Sequence, residues 1–343
     1  IGVICLLYGM LGPYLPGVMG HRGYSILRIV NHIYIGTEGI YGIAVGVVAT
    51  YVFHFVLFGV LMQLTGLGQL FMNLATIVAG RYSGGAAKVS VVSSGLFGMI
   101  SGSSIANTVT TGALTIPMMK RSGFSSRFSG AVEASASCGG QITPPIMGAS
   151  AFVMAEMLGV PYNHLILIAI FPAIFHYFAM LLMVHLEAKR LGLSGIDRRY
   201  IPVFLEVMGR SWHLLIPLVA MVTLLLMQYT PFLAAFWGII LTIVCGYLPL
   251  ILRPMGFKSL DPSSALKPRQ LIEGFELGAK YALGIGAACA CVGFILGIAT
   301  LSGIGFKFSG AVLQLASSAA ETVLAFDFTG WIGQQGVTLF FAL

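Results

Sequence analysis

An all-α polytopic membrane protein is the fold class this sequence predicts, and three observations predict it. Only 8% of the 343 residues are charged, where a soluble domain carries about 25%, and the mean hydropathy is +0.94. Apolar runs of about 20 residues recur, long enough to cross the hydrocarbon layer as helices that satisfy their own backbone. There are 44 glycines, and small residues let membrane helices approach closely. The short alternating segments of a β-barrel are not seen.

The elements follow in order. A first apolar run covers 1–19 and ends at GPYLPG, and the polar stretch HRGYSILRIVNHIYIGTEG follows it. A strong span covers 40–64, and after TGLG a short helix over 67–80 reads as tilted or interfacial. Residues 86–100 and 108–119 are two apolar arms on either side of SGSSIAN. Each arm is too short to cross alone, so a re-entrant hairpin over 86–119 is expected. In the segment 128–158 the sequence CGGQITPP (138–145) sets two glycines before two prolines, which predicts a broken span made of two half-helices. Further spans are expected at 163–187, 211–229, 232–252 and 270–300.

Charge orients these elements. The loops 81–88, 120–127, 189–210 and 253–280 fall on one side and carry 15 of the 18 lysines and arginines, the pattern of a cytoplasmic face. The net charge of +7 therefore reflects topology and not nucleic-acid binding. The five cysteines show no metal spacing and read as packing residues. LTGLG (64–68) is echoed by LSGIG (301–305), each after a glycine-rich span, which suggests inverted repeats. Both ends lie in apolar sequence, so the chain reads as a piece of a larger membrane protein.

The hairpin tip and the broken span hold the candidate chemistry. Irregular backbone at membrane depth must be buried in protein or line a watery cavity. Secondary transporters build ion and substrate sites from such discontinuous helices. Ser101, Ser103, Ser104, Thr108 and Thr143 offer hard oxygens suited to Na⁺, while the amides of Asn107 and Gln141 can donate to a carboxylate. The competing reading of the serines is helix–helix glue, and that of Pro144-Pro145 is a structural kink. Glu133 has two readings: a membrane-embedded coupling carboxylate, or an ion-pair partner of Arg127 or Lys120. His54 and His176 read as hydrogen-bonded interior residues. Nucleophile-elbow, zinc-protease and P-loop patterns are absent, so an enzyme is not expected. A channel or a non-transporting assembly subunit is the alternative to a transporter, but no span shows a polar stripe.

The run 98–162, from GMISGSSIANTVTTGALTIP to GASAFVMAEMLGVPY, resembles the large membrane subunit of TRAP transporters. With GPYLPG…HRG, TTG-x-x-T-I-P, MVHLEAKRLGL and WHLLIPL it is similar to the fused permeases of the TAXI type. The resemblance implies an elevator-type transporter with inverted repeats, each with a re-entrant hairpin and a broken helix, in a bacterial or archaeal inner membrane. It also implies import of small organic acids, C4-dicarboxylates among them, by Na⁺ symport without other cofactors. A periplasmic solute-binding protein and a small four-helix membrane subunit, fused upstream, would be partners. Carried onto this chain, the ion site is Ser101, Gly102, Ser103, Ser104, Asn107, Gly140, Thr143 and Pro144. The substrate site is Asn107, Thr108, Gly139, Gln141 and Pro145. The expected organisation is 1–38 as the end of the small-subunit-like region with its linker, 39–200 as the first repeat, 201–269 as scaffold, and 270–343 as the start of the second repeat. The second hairpin would then fall outside these residues, and this chain alone is not expected to transport.

Overall fold

A computed structural model describes residues 2–252 and 265–325. Among the described residues every regular element is helical and no strand occurs. Five helices among these residues are long and apolar enough to cross a membrane. Arg253, Lys258 and the residues from 326 onward, where the second repeat was expected to continue, lie outside the described residues.

The chain forms two compact units, Val47–Gly286 and the pair of segments Ile1–Gly46 and Ala287–Leu343. In the latter unit, helix α1 (Gly2–Leu11) is followed by two short 3-10 turns. The polar stretch after the first apolar run is partly helical, as α2 (Ile26–Val30) and a π turn over Asn31–Ile35. The reason is a start signal: the Ser25 hydroxyl accepts from the Arg28 N–H. Ile29 and Ile33, four apart, then pack on Ile298.

The larger unit holds three of the five candidate spans whole, and the spans Ile43–Leu64 and Pro268–Ser302 run across its limits. α3 (Ile43–Val47), a π turn and α4 (Phe53–Leu64) form one continuous apolar helix. α5 (Leu67–Ala79), α6 (Gly85–Ser101), α7 (Ser104–Arg121) and α8 (Ser126–Gly140) follow, and the last three pack on one another. α9 (Ala149–Leu158) and α10 (Tyr162–Arg190) come next, then an amphipathic α11 (Phe204–Ser211) that precedes the expected span. α12 (Ile216–Leu226), α13 (Pro231–Leu252) and α14 (Pro268–Ser302) are membrane-type helices, and α15 (Ile304–Ala325) follows α14. Polarity here is inside out. α10 exposes Leu167, Ile168, Phe171, Phe175 and Phe178, whereas Ser90, Ser94, Thr111, Thr115, Glu133 and Ser137 are buried among α6, α7 and α8.

The echoed motifs adopt the same local turn. Gly66 follows α4 and Gly303 follows α14 in left-handed backbone, φ +85° and +67°. The residue before each, Thr65 or Ser302, donates its hydroxyl to the carbonyl three positions back.

Two expectations are corrected. The irregular tip is narrower than SGSSIAN: Gly102 in left-handed backbone (φ +61°) ends α6, and the extended Ser103 caps α7 by accepting from the Ala106 N–H. Ser101 is therefore the last residue of α6, while Ser104 and Asn107 lie in the first turn of α7. The broken span also breaks later than CGG predicted. Cys138, Gly139 and Gly140 remain helical, and the irregular backbone runs over 141–148. Those glycines serve close approach. A Cβ on Gly140 would lie 2.5 Å from the Gly98 Cα, and one on Gly139 would lie 2.3 Å from the His176 ring. The break comes from the prolines, which offer no N–H to the carbonyls of Gly140 and Gln141. Those oxygens accept instead from Thr143 N–H (3.2 Å) and Gly148 N–H (2.7 Å).

Gly140→Ala is expected to destabilise the protein by about 1–3 kcal/mol through overpacking against α6. Gly130→Ala, whose Cβ meets nothing within 4 Å, should be neutral or stabilising by up to about 1 kcal/mol. Thermal unfolding in detergent compares the two.

Candidate functional site

Four helix ends meet at the hairpin tip. α6 ends at Ser101 and α8 ends at Gly140, with Gly98 against Gly140, so two carbonyl termini lie side by side. α7 begins at Ser104 and α9 at Ala149. The Gln141 side-chain amide donates to the Ser104 hydroxyl at 3.1 Å, and a Cβ on Gly148 would meet the Gly102 carbonyl at 3.5 Å. The Ile146 N–H also donates to the Met99 carbonyl at 3.3 Å, which fastens the irregular segment to the hairpin. Two helix C-termini favour a cation and two N-termini favour an anion. The tip therefore presents both polarities within a few residues.

The predicted residues sort themselves by what they already bond. The Ser101 hydroxyl is buried and has no hydrogen-bond partner among the described residues. Such a group costs about 1–3 kcal/mol unless something fills it. Ser103 is spent on its cap, and Thr143 Oγ1 donates to the Gly139 carbonyl at 2.7 Å, each retaining lone-pair capacity. Thr108 is half-buried at the tip, Gln141 is exposed, Pro144 is half-buried and Pro145 is buried. Tyr162 donates to the carbonyls of Pro145 and Ile146, which anchors the irregular segment to α10. Asn107 is fully buried, and its amide donates to the Ser94 carbonyl (2.8 Å) and hydroxyl (3.0 Å). It faces the packed layer between the hairpin arms.

Glu133 resolves into neither of its two expected forms in a simple way. It is fully buried, and among the described residues no ion pair involves it, with Arg127 and Lys120 included. Five hydroxyls surround it instead. Ser90 and Thr115 each donate to Oε2 at 2.6 Å, Ser94 lies 3.2 Å and Ser137 3.4 Å from Oε1, and Thr111 also donates to Oε1. The donors come from α6, α7 and α8 together. Thr111 has a second acceptor in Asn107, whose carbonyl is at 2.8 Å and whose Oδ1 is at 3.3 Å. Through Thr111 and Ser94 the carboxylate is thus joined to Asn107, six residues beyond the Ser101 hydroxyl.

These five hydroxyls were missed in the sequence, although it carried a signal. Ser90 and Ser94, Thr111 and Thr115, and Glu133 and Ser137 are each four apart, so each pair shares one helix face. Three successive segments with such a pair can close on one another. His176 and Tyr177 each bond an α8 carbonyl, those of Ser135 (3.1 Å) and Ala136 (2.9 Å), consistent with interior roles.

Removing the Glu133 side chain leaves buried hydroxyls without their acceptor. Glu133→Ala should cost about 1–3 kcal/mol or more, and Glu133→Gln less, because a carbonyl oxygen remains. Unfolding midpoints equal to wild type in both variants would show that the carboxylate does not hold the three helices.

Comparison with known proteins fits this arrangement. The family model described as "Tripartite ATP-independent periplasmic transporter, DctM component" matches residues 2–328. The chain is 28% identical over 193 residues to the isethionate TRAP transporter permease protein DctMQ of Oleidesulfovibrio alaskensis, covering 54% of this chain and 30% of that one. It is 32% identical over 91 residues to the C4-dicarboxylate TRAP transporter large permease protein DctM of Rhodobacter capsulatus, covering 26% and 21%. It is likewise 32% identical over 91 residues to the sialic acid TRAP transporter permease protein SiaT of Haemophilus influenzae, covering 26% and 15%. The matches span between 15% and 36% of the curated relatives' own lengths. Spanning helices, a helical hairpin beside a broken helix and this match along the chain lead to one assignment: the chain is a multi-pass membrane protein of the DctM family, the large permease component of tripartite ATP-independent periplasmic transporters, and not an enzyme.

Proposed function

We propose that this chain holds an ion- and substrate-binding half-site of a Na⁺-driven importer of small organic anions. The observation that carries the reading is the meeting of two helix C-termini and two N-termini at the tip, beside the unpartnered Ser101 hydroxyl. Na⁺, a co-transported substrate here, would take the Ser101 oxygen together with lone pairs left on Ser103, Thr143 and carbonyls around Gly102 and Gly140. Hard neutral oxygens and the negative helix ends suit it. The anion would lie at the N-terminal ends, where Ser104, Thr108 and Gln141 supply polar groups and Pro144-Pro145 shape the wall. The relatives named for isethionate and C4-dicarboxylates make an organic anion the natural cargo.

Glu133 belongs to this reading as the anchor of the hairpin. In the Na⁺-coupled scheme it stays in its hydroxyl cradle and sets Asn107 from behind. A periplasmic solute-binding protein that delivers the anion, and a small membrane subunit, complete the proposed system. The likeness to the TAXI type rests on the motifs GPYLPG, MVHLEAKRLGL and WHLLIPL.

Uptake by the whole transporter, reconstituted with its binding protein, tests the reading. Ser101→Ala should raise the Na⁺ concentration for half-maximal uptake by about tenfold, the effect of losing roughly 1.4 kcal/mol of ion binding. Uptake that ignores Na⁺, follows a proton gradient and stops in Glu133→Gln would transfer the coupling role to the carboxylate.

A further inference from the structure

A second polar cluster lies away from the hairpin tip, where the turn between α5 and α6 meets the end of α10. The backbone ties this junction together. The Ile196 N–H donates to the Gly80 carbonyl at 2.8 Å, the Gly84 N–H to Ser194 at 3.3 Å, and the Ser83 hydroxyl to Leu193 at 2.8 Å. Tyr82 stands exposed on the junction with two cations over its ring, the Arg81 guanidinium at 4.9 Å and the Lys88 ammonium at 5.5 Å from the centroid. Arg81 also donates to the Tyr82 hydroxyl at 2.8 Å.

Lys88 Nζ lies 3.0 Å from His185 Nδ1. An ammonium has no lone pair to give, so Lys88 donates and Nδ1 accepts, which leaves Nε2 as the ring's N–H. Lys189, four residues beyond His185 on α10, shares its helix face. The adjacent acid, Glu187, does not compensate, because Arg190 holds it in a fork at 2.7 Å on both oxygens. Among the described residues Arg81, Lys88 and Lys189 have no carboxylate within ion-pairing distance. Two cations stand over the Tyr82 ring, a third lies one helical turn beyond the histidine that Lys88 meets, and their charge is left open.

We propose that Arg81, Lys88 and Lys189 form a site for the phosphate of an anionic phospholipid headgroup. Phosphate charge matches what the cluster lacks, and His185 Nε2–H adds a donor. The surroundings favour a lipid over a free ion. Val78 precedes Arg81 by three residues, and Leu182 and Leu186 lie seven and three before Lys189 on the same face of α10; all three apolar side chains are exposed. Acyl chains thus have an apolar path directly behind the headgroup. Because Lys88 is on α6 and Lys189 on α10, a bound phosphate links the first hairpin arm to the long helix beside it.

Thermal unfolding of the full chain in detergent tests this, with added dioleoylphosphatidylglycerol, dioleoylphosphatidylcholine or inorganic phosphate. Phosphatidylglycerol should raise the midpoint by several degrees, and phosphatidylcholine and phosphate should raise it little. Arg81→Gln with Lys189→Gln, both exposed, should keep the lipid-free midpoint and lose at least half of the phosphatidylglycerol shift. An equal shift from phosphatidylcholine, or an undiminished phosphatidylglycerol shift in the double variant, overturns the site. An equal shift from inorganic phosphate overturns the lipid as its occupant.

Discussion

A single buried carboxylate organises the centre of this protein. Burying Glu133 without a cation is affordable only if its oxygens are met by donors, and α6, α7 and α8 each contribute some of them. The donors are short serines and threonines, so the three helices must pack closely to reach the carboxylate. The glycine contact between Gly98 and Gly140 provides that closeness at the tip end of the bundle. Take away the glycines and the hydroxyls cannot reach. Take away the carboxylate and the hydroxyls have little reason to face inward.

Membrane packing explains why this layer is polar. Lipid is as apolar as leucine, so there is no hydrophobic gain in driving such helices together. Hydrogen bonds and close contact have to do it, and the buried residues of α6 accordingly include Ser90, Ser93, Ser94, Gly95 and Gly98. The bulky apolar residues of α10 point outward instead. A soluble bundle of the same helices would invert that arrangement.

Much of this was legible from the sequence, in proportion to how local the cause was. Spans such as 40–64 and 163–187 announced themselves by run length, and the hairpin by its polar tip, although its arms of 17 and 18 residues are longer than the apolar runs 86–100 and 108–119. The proline pair located the break, although the glycines before it were credited with breaking the helix and in fact stay helical for a steric reason three helices wide. Helix α2 was hidden in a polar stretch because its start depends on one serine cap and its burial on two isoleucines. The Glu133 cradle was least visible. Each hydroxyl pair is ordinary on its own helix, and only the tertiary arrangement turns three pairs into one site.

The two-residue tip has a mechanical consequence. Gly102 and Ser103 leave about four soft backbone torsions between two helices, and both residues are already committed to ending one helix and capping the next. A connection so short cannot swing open like a flap. A displacement of the hairpin therefore takes both of its arms together, and with them the first half of the broken span, to which Glu133 bonds them. Glu133, bonded to α6, α7 and α8 alike, is the rivet that makes those three helices one mechanical block.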